Sequence, residues 1–265
     1  MADVTLTYKG ATIAEFSESG SKTLRTAGTF CEGDIGVEYV KPSGGYSVQQ
    51  IFDREIAGDI TVLLKTNNNK NAFQYCPDIT SISFSQSNTS TAPIPDSVCV
   101  GCTGLLSAKC VPPAAMIAHR LGANAFQSCT NLQLACFPLA TSVYTAVFNG
   151  CSKLEIVELG DANFLRQSAF AGCTKLETLI LRGTTVAPLS NVNNFGNTPF
   201  ASGKSGGTIY IPKVLYDHLG DGSSLDYKAA TNWSTVDGYG TITWAQIEGS
   251  IYETQYADGT PIPTE

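Results

Sequence analysis

Nine cysteines, two histidines and a few neighbouring glutamates are the residues of this 265-residue chain whose types could do chemistry. Cys99-Val100-Gly101-Cys102 is a C-x-x-C, the spacing at which two thiolates hold zinc or exchange a disulfide. Cys110, Cys129 or His119 could complete four ligands. Glu155, Glu158 and Glu177 could imitate the paired carboxylates of a glycoside hydrolase. His119 and His218 are the only candidates for a base at neutral pH, and neither stands in G-x-S-x-G or H-E-x-x-H. Gly203-Lys204-Ser205-Gly206-Gly207 holds a GKS triplet without the upstream glycine and strand-then-helix setting of a phosphate loop, so it reads as a turn.

The spacing of the cysteines gives a different account of most of these residues. Five copies of one pattern centre on Cys76, Cys102, Cys129, Cys151 and Cys173, at steps of 26, 27, 22 and 22 residues. Three positions on stand Ile79, Leu105, Leu132, Leu154 and Leu176. Six on stand Ile82, Ala108, Ala135, Val157 and Leu179, and eight on stand Phe84, Cys110, Phe137, Leu159 and Leu181. Three before stand Phe73, Cys99, Phe126, Phe148 and Phe170. Eight before stand Ile94, Leu121, Val143 and Leu165, with Asn68 the exception. Self-similarity at a fixed period marks a solenoid, in which each coil buries its apolar face only by stacking on its neighbours. Cys102 is then the repeat cysteine and Cys99 replaces the repeat phenylalanine, so a metal or redox role is not expected, nor a cofactor. The repeat thiols act as small buried hydrophobes. Side chains projecting in parallel from stacked coils suit free thiols better than the torsion of a disulfide. The glutamates read as a solvated face, because raising a carboxyl pKa needs a closed apolar pocket. No catalytic residue is assigned, and the chain is not expected to be an enzyme.

The elements that place these residues are a short strand over each L-x-x-L-x-L and a returning turn over each A-F-x-x-C. The expected fold is mainly β: a leucine-rich-repeat solenoid of short strands, capped at its C-terminus by short helices and preceded by a small β anchor. Val4–Tyr8 and Ala11–Phe16 begin the anchor unit, residues 1–41, with Lys9-Gly10 as the turn between them. Residues 42–45 are a linker, 46–250 the solenoid with its cap, and 251–265 a loosely held tail. The run ending at Leu64 is the first strand of the stack, and the longer steps bulge outward near Ser87–Pro95 and Pro112–His119. Residues 183 to 207 depart from the repeat, Thr208–Pro212 forms a last strand, and Lys213–Leu219 and Tyr227–Trp233 form cap helices. Residues five and seven after each cysteine face outward. Leu134, Cys136, Ile156 and Ile180, with Glu158 and Thr178 beside them, form an apolar strip there and are the candidate interface, expected to pack on another subunit or on the anchor unit.

A net charge of −7 without any basic run argues against nucleic acid as a partner. No apolar stretch approaches the roughly 18 residues of a membrane span. The first residues show neither the basic nor the apolar region of a secretion signal.

The A-F-x-x-C-x-x-L-x-x-L-x-L unit, closed by Ile209-Tyr210-Ile211-Pro212 and Tyr227-Lys228-Ala229-Ala230-Thr231-Asn232-Trp233, resembles the BspA-like leucine-rich repeat family over roughly residues 50 to 250. Tyr8–Ala14, Thr23–Gly28 and Cys31–Ile35 resemble a leader on virion proteins of phages of gut bacteria. Together the resemblances imply a phage virion structural protein, a tail- or capsid-attached fibre or decoration. Its N-terminal unit would bind other virion proteins and its solenoid a glycan or protein of the host surface. Homo-oligomerisation is expected, and the location would be the virion. The alternative is a bacterial BspA-type cell-surface adhesin, and a polysaccharide-acting enzyme comes third.

Overall fold

The computed structural model describes residues 4–8, 11–16, 58–64, 73–86, 93–110 and 119–263. Strands β1 (Val4–Tyr8) and β2 (Ala11–Phe16) form an antiparallel hairpin with a bulge between Leu6 and Thr7. The remainder of the anchor unit, the linker, and residues 87–92 and 112–118 of the two expected bulges lie outside the described residues.

One parallel sheet runs the length of the solenoid. Its strands are β3 (Gly58–Leu64), β4 (Ile79–Gln86), β5 (Ser107–Lys109), β7 (Leu134–Phe137), β9 (Ile156–Leu159), β10 (Thr178–Leu181), β11 (Gly207–Ile211) and β12 (Ile242–Gln246), in that spatial order. Two further strands, β6 (His119–Leu121) and β8 (Ala140–Val143), pair in parallel on the second side of the coils. That side continues through bridges Ile94–Leu121, Val143–Leu165 and Leu165–Leu189. The column Ile94, Leu121, Val143, Leu165 and Leu189 is therefore a second, minimal strand.

Register follows the repeat. Ile82, Ala108, Ala135, Val157, Leu179 and Ile209 align strand by strand. All fifteen residues three, six and eight positions after the cysteines are buried. The returning turns stack as well: Phe126, Phe148, Phe170 and Phe195 lie in parallel, with ring centres 5.4–5.9 Å apart. Where Cys99 interrupts this column, Phe84 from β4 meets the edge of Phe126 at 6.2 Å, so the smaller residue leaves a buried layer.

The turns use left-handed residues at two positions. The residue before the cysteine has φ of +59° to +79° at Tyr75, Gly101, Ser128, Gly150 and Gly172. The residue five before it has φ of +55° to +58° at Ser97, Asn124, Ala146 and Ser168. These reversals aim turn amides at the next coil, as in Phe126 N–H to Val147 O (2.9 Å), Ser128 N–H to Asn149 O (2.8 Å) and Gly150 N–H to Ala171 O (2.8 Å). Backbone groups that a turn would leave unpaired are thus satisfied inside the stack.

Residues 183 to 207 do not leave the solenoid as expected. They build a further coil: Leu189 bridges Leu165, Phe195 stacks on Phe170, and Gly172 N–H donates to Gly196 O at 2.7 Å. Thr198 occupies the cysteine position. Its amide and hydroxyl both donate to Phe195 O, at 3.0 and 2.7 Å. The sequence conceals this coil because a hydroxyl replaces the thiol and a loop over 199–206 delays the strand.

The cap also differs in detail. A short helix spans Lys213–Tyr216, but the second spans Trp233–Asp237 and not Tyr227–Trp233. Asn232, at φ +64°, breaks the backbone just before Trp233 and ties its side chain to Leu189 O at 2.7 Å. Asp226 holds Tyr227–Lys228 in a turn by accepting from Gly222 and Lys228 amides. Trp233, fully buried, donates from its indole to Ala187 O at 2.7 Å and packs against Phe195, Tyr227 and Trp244. Trp244 lies on β12, which adds a strand beyond the one expected to be last.

Candidate functional site

The cysteines resolve first. Among the described residues they are free thiols and all are buried. Cys102, Cys129, Cys151 and Cys173 each place Sγ 2.9–3.1 Å from a turn carbonyl of the preceding coil: Phe73, Cys99, Phe126 and Phe148 respectively. The thiol is a weak donor that fills a small gap and satisfies a buried carbonyl. Burial pushes the thiols of Cys99, Cys129 and Cys173 well up, and that of Cys110 to about 12, so these side chains stay protonated and unreactive. Among the described residues no group of three or more Cys, His, Asp or Glu is arranged to hold a metal ion.

The glutamates separate by position. Glu155 and Glu177 occupy the turn before their strands and are exposed, while Glu158 points from β9 onto the strand face and is completely buried. His218 pairs with Asp221 at 2.6 Å on the exposed cap surface. His119 lies on β6.

The predicted apolar strip is the most constructed place on the molecule. Cys136, Glu158 and Ile180 are fully buried, and Leu134, Ile156 and Thr178 are partly so. The C-terminal segment covers them. Ile247 and Tyr252 pack on Ile180, with Ile156, Tyr210 and Ala257 at the margin. Tyr252 meets the Tyr210 ring edge-on at 4.8 Å. The occupant is thus this chain's own residues 247–258, where another subunit or the anchor unit was expected.

Charge fastens this segment. Glu158 accepts from Arg182 Nε, from Cys136 Sγ at 3.2 Å and from the Ala257 amide at 2.5 Å. Arg182 also donates to Tyr252 O and Gln255 O, at 3.0 and 3.1 Å, and its guanidinium lies over the Tyr256 ring at 5.3 Å. Lys109 on β5 reaches Asp258 at 3.1 Å. The Asp258 carboxylate stays below its usual pKa although burial opposes it, because the Thr260 amide and hydroxyl and Lys109 stabilise its charge. Burial first, then the neighbouring Glu158 charge, raises the Cys136 thiol. A small turn closes the end: Tyr256 N–H to Thr260 O and Ile262 N–H to Thr254 O, at 2.8 and 2.9 Å. The tail expected to be loosely held is therefore clamped across the sheet, because a buried carboxylate with a guanidinium partner needs backbone donors and acceptors to complete its shell. Arg182, which completes that shell, was not singled out in the sequence. Its only signal is its place, one residue beyond β10 and one coil above Glu158.

What remains open on the sheet is its N-terminal part, lined by Ser81, Ser83, Ser107 and Lys109, with Tyr75 and Leu106 exposed nearby.

Residues 94–218 match the model of the BspA type leucine-rich repeat region, in six copies. The protein is a mainly-β leucine-rich-repeat solenoid, and residues 94–218 of it are similar to the BspA type. A leucine-rich repeat protein from Bacteroides ovatus ATCC 8483, of known crystal structure, is similar at 15% identity with a TM-score of 0.31, over 72% of this chain and 70% of that one. No curated protein matches the chain. This match corrects the reading as a phage virion component, with its virion location and virion partners: the repeats of residues 94–218 are those of a BspA-type leucine-rich repeat region. The described residues contain no helix long and apolar enough to cross a membrane.

Proposed function

We propose that this protein is a non-catalytic adhesive scaffold of the bacterial cell surface, whose coils present a binding surface to a glycan or protein of a host. The match of residues 94–218 to the BspA-type repeat region carries the reading. Repeat stacks offer extended surfaces at little cost in specialised residues, since each coil needs only its inward columns for stability. Two features of the site support a binding role. The ionisable groups Glu158 and Arg182 on the strand face are consumed in fastening the C-terminal segment, and the ladder thiols of Cys129 and Cys173 are held protonated by burial. The outward positions of the coils are left free to vary.

The test compares a producing bacterium with and without the gene. Antibody labelling of intact cells should find the protein on the surface, and deletion should reduce attachment to host cells or matrix. Equal attachment of both strains, or labelling only after lysis, would overturn the reading.

A further inference from the structure

The second side of the coils carries a group of side chains that the strap does not use, at the margin of the core, against which Tyr144 packs. The inward column Ile94, Leu121, Val143, Leu165 and Leu189 is buried, and alternation along a strand turns its immediate neighbours outward. Four of those neighbours are Arg120, Tyr144, Phe164 and Arg166. The Arg120 guanidinium lies 5.0 Å from the Tyr144 ring centre and that of Arg166 lies 4.8 Å from it. Arg166 is also 4.7 Å from the Phe164 ring centre, and Tyr144 meets Phe164 edge-on at 5.4 Å. Arg120 Nη1 donates to the Tyr144 hydroxyl at 3.4 Å.

Two cations so arranged repel each other unless something neutralises them. Both sit on one ring, so their separation cannot exceed about twice the distance of each from its centre. Among the described residues neither forms an ion pair, in a chain that carries 23 acidic residues against 16 basic ones. The Nε of Arg120 is buried and has no hydrogen-bond partner among them. Asp96, in the preceding coil, accepts from the Ala123 amide. Segments 87–92 and 111–118, which lead into these coils, contain no acidic residue. Cation–π contact with Tyr144 and Phe164 pre-sets the guanidinium planes, which lowers the ordering cost of ligand binding.

The geometry points to Arg120 and Arg166, oriented by Tyr144 and Phe164, as a binding site for a carboxylated polysaccharide, and so names the ligand class of the adhesive reading on which it rests. A guanidinium fork matches a planar carboxylate, and the half-exposed aromatic rings offer apolar surface to a sugar. The overall negative charge disfavours a densely charged polyanion, so the fitting polymer spaces its carboxylates, as an alternating uronic-acid chain does.

The probe is hyaluronan oligosaccharide, with dextran as the neutral and heparin as the sulfated comparison, on the full chain by biolayer interferometry. Hyaluronan should bind more tightly than dextran, and less tightly as salt rises. Arg166→Gln and Arg120→Gln should each weaken binding roughly tenfold, a charge-assisted hydrogen bond or more. Arg166→Lys should weaken it nearly as much, since lysine keeps the charge and loses the fork. Lys175→Gln, removing an exposed charge from a turn, should change it less than about twofold. Arg166 is exposed, so its variants should melt with the parent. Absent hyaluronan binding, equal loss in Lys175→Gln, or Arg-dependent binding to heparin alone would overturn the proposal. Those results together with gene-dependent attachment of cells would remove the ligand assignment and leave the adhesive reading standing.

Discussion

At the scale of single residues, the left-handed turn positions decide more than the cysteine that first draws attention. The residue before the cysteine needs φ near +60° to +80° in each of the five coils, yet glycine supplies it only at 101, 150 and 172. Tyr75 and Ser128 adopt the same conformation with a side chain, at a cost of about 1–2 kcal/mol each. Exchange at equivalent positions should therefore run in opposite directions. Ser128→Gly should raise stability by roughly 0.5 kcal/mol, the relief being partly offset by the freer unfolded chain. Gly150→Ala should lower it by about 1 kcal/mol, with no clash involved, since an added Cβ would come no nearer than 3.6 Å to another atom. At Gly101 the same change also drives a Cβ to 2.4 Å from the Tyr75 ring, and the loss should be larger. Urea denaturation of the three variants gives the order directly.

At the scale of elements, the C-terminal strap is the part whose behaviour the coil pattern does not dictate. It adds one apolar cluster, the Asp258–Lys109 ion pair and backbone partners for the buried Arg182–Glu158 pair to a sheet that is already closed by its own hydrogen bonds. Arg182→Ala would strand Glu158 as a buried carboxylate without its cation and free two strap carbonyls. Breaking one partner of a buried pair costs about 3–5 kcal/mol. Here the strap can lift and admit water, so the expected outcome is local: amides of Tyr256, Ala257 and Ile262 lose protection from hydrogen exchange while those of β7, β9 and β10 keep theirs. Uniform loss along the sheet would show that the strap is part of the cooperative core. The Glu158 carboxylate also explains why one charged residue sits among outward apolar side chains. It is the point at which the strap's backbone is read.

At the scale of the whole molecule, stability is passed from coil to coil. The phenylalanine column ends at Phe195, which leans on Phe200 and Trp233, and Trp233 is in turn covered by Tyr227 and Trp244. The cap thus continues the column with different residues. Trp233→Ala should cost about 3–5 kcal/mol through the cavity it leaves. Because coils contact only their neighbours, hydrogen exchange should rise steeply in residues 187–245 and fall off toward β4. The two sides of the stack then divide the work: the long sheet is sealed over its C-terminal half by the strap, and the second side carries Arg120 and Arg166, which form no ion pair among the described residues.

The periodic columns were readable before any coordinates because each inward position faces the same surroundings in every coil, so physics repeats the residue type. Ile79 to Leu181 and the phenylalanine ladder were legible for that reason. The coil through Thr198 was not, since a hydroxyl can replace a thiol wherever a carbonyl awaits a donor. Neither was the strap legible, nor the meeting of Arg120 with Tyr144 and Arg166. The strip Leu134, Cys136, Ile156 and Ile180 announced that something must cover the sheet, as burial of apolar area requires. Only the tertiary structure decided what does, because a non-periodic segment is placed by its partners' geometry and not by its own pattern.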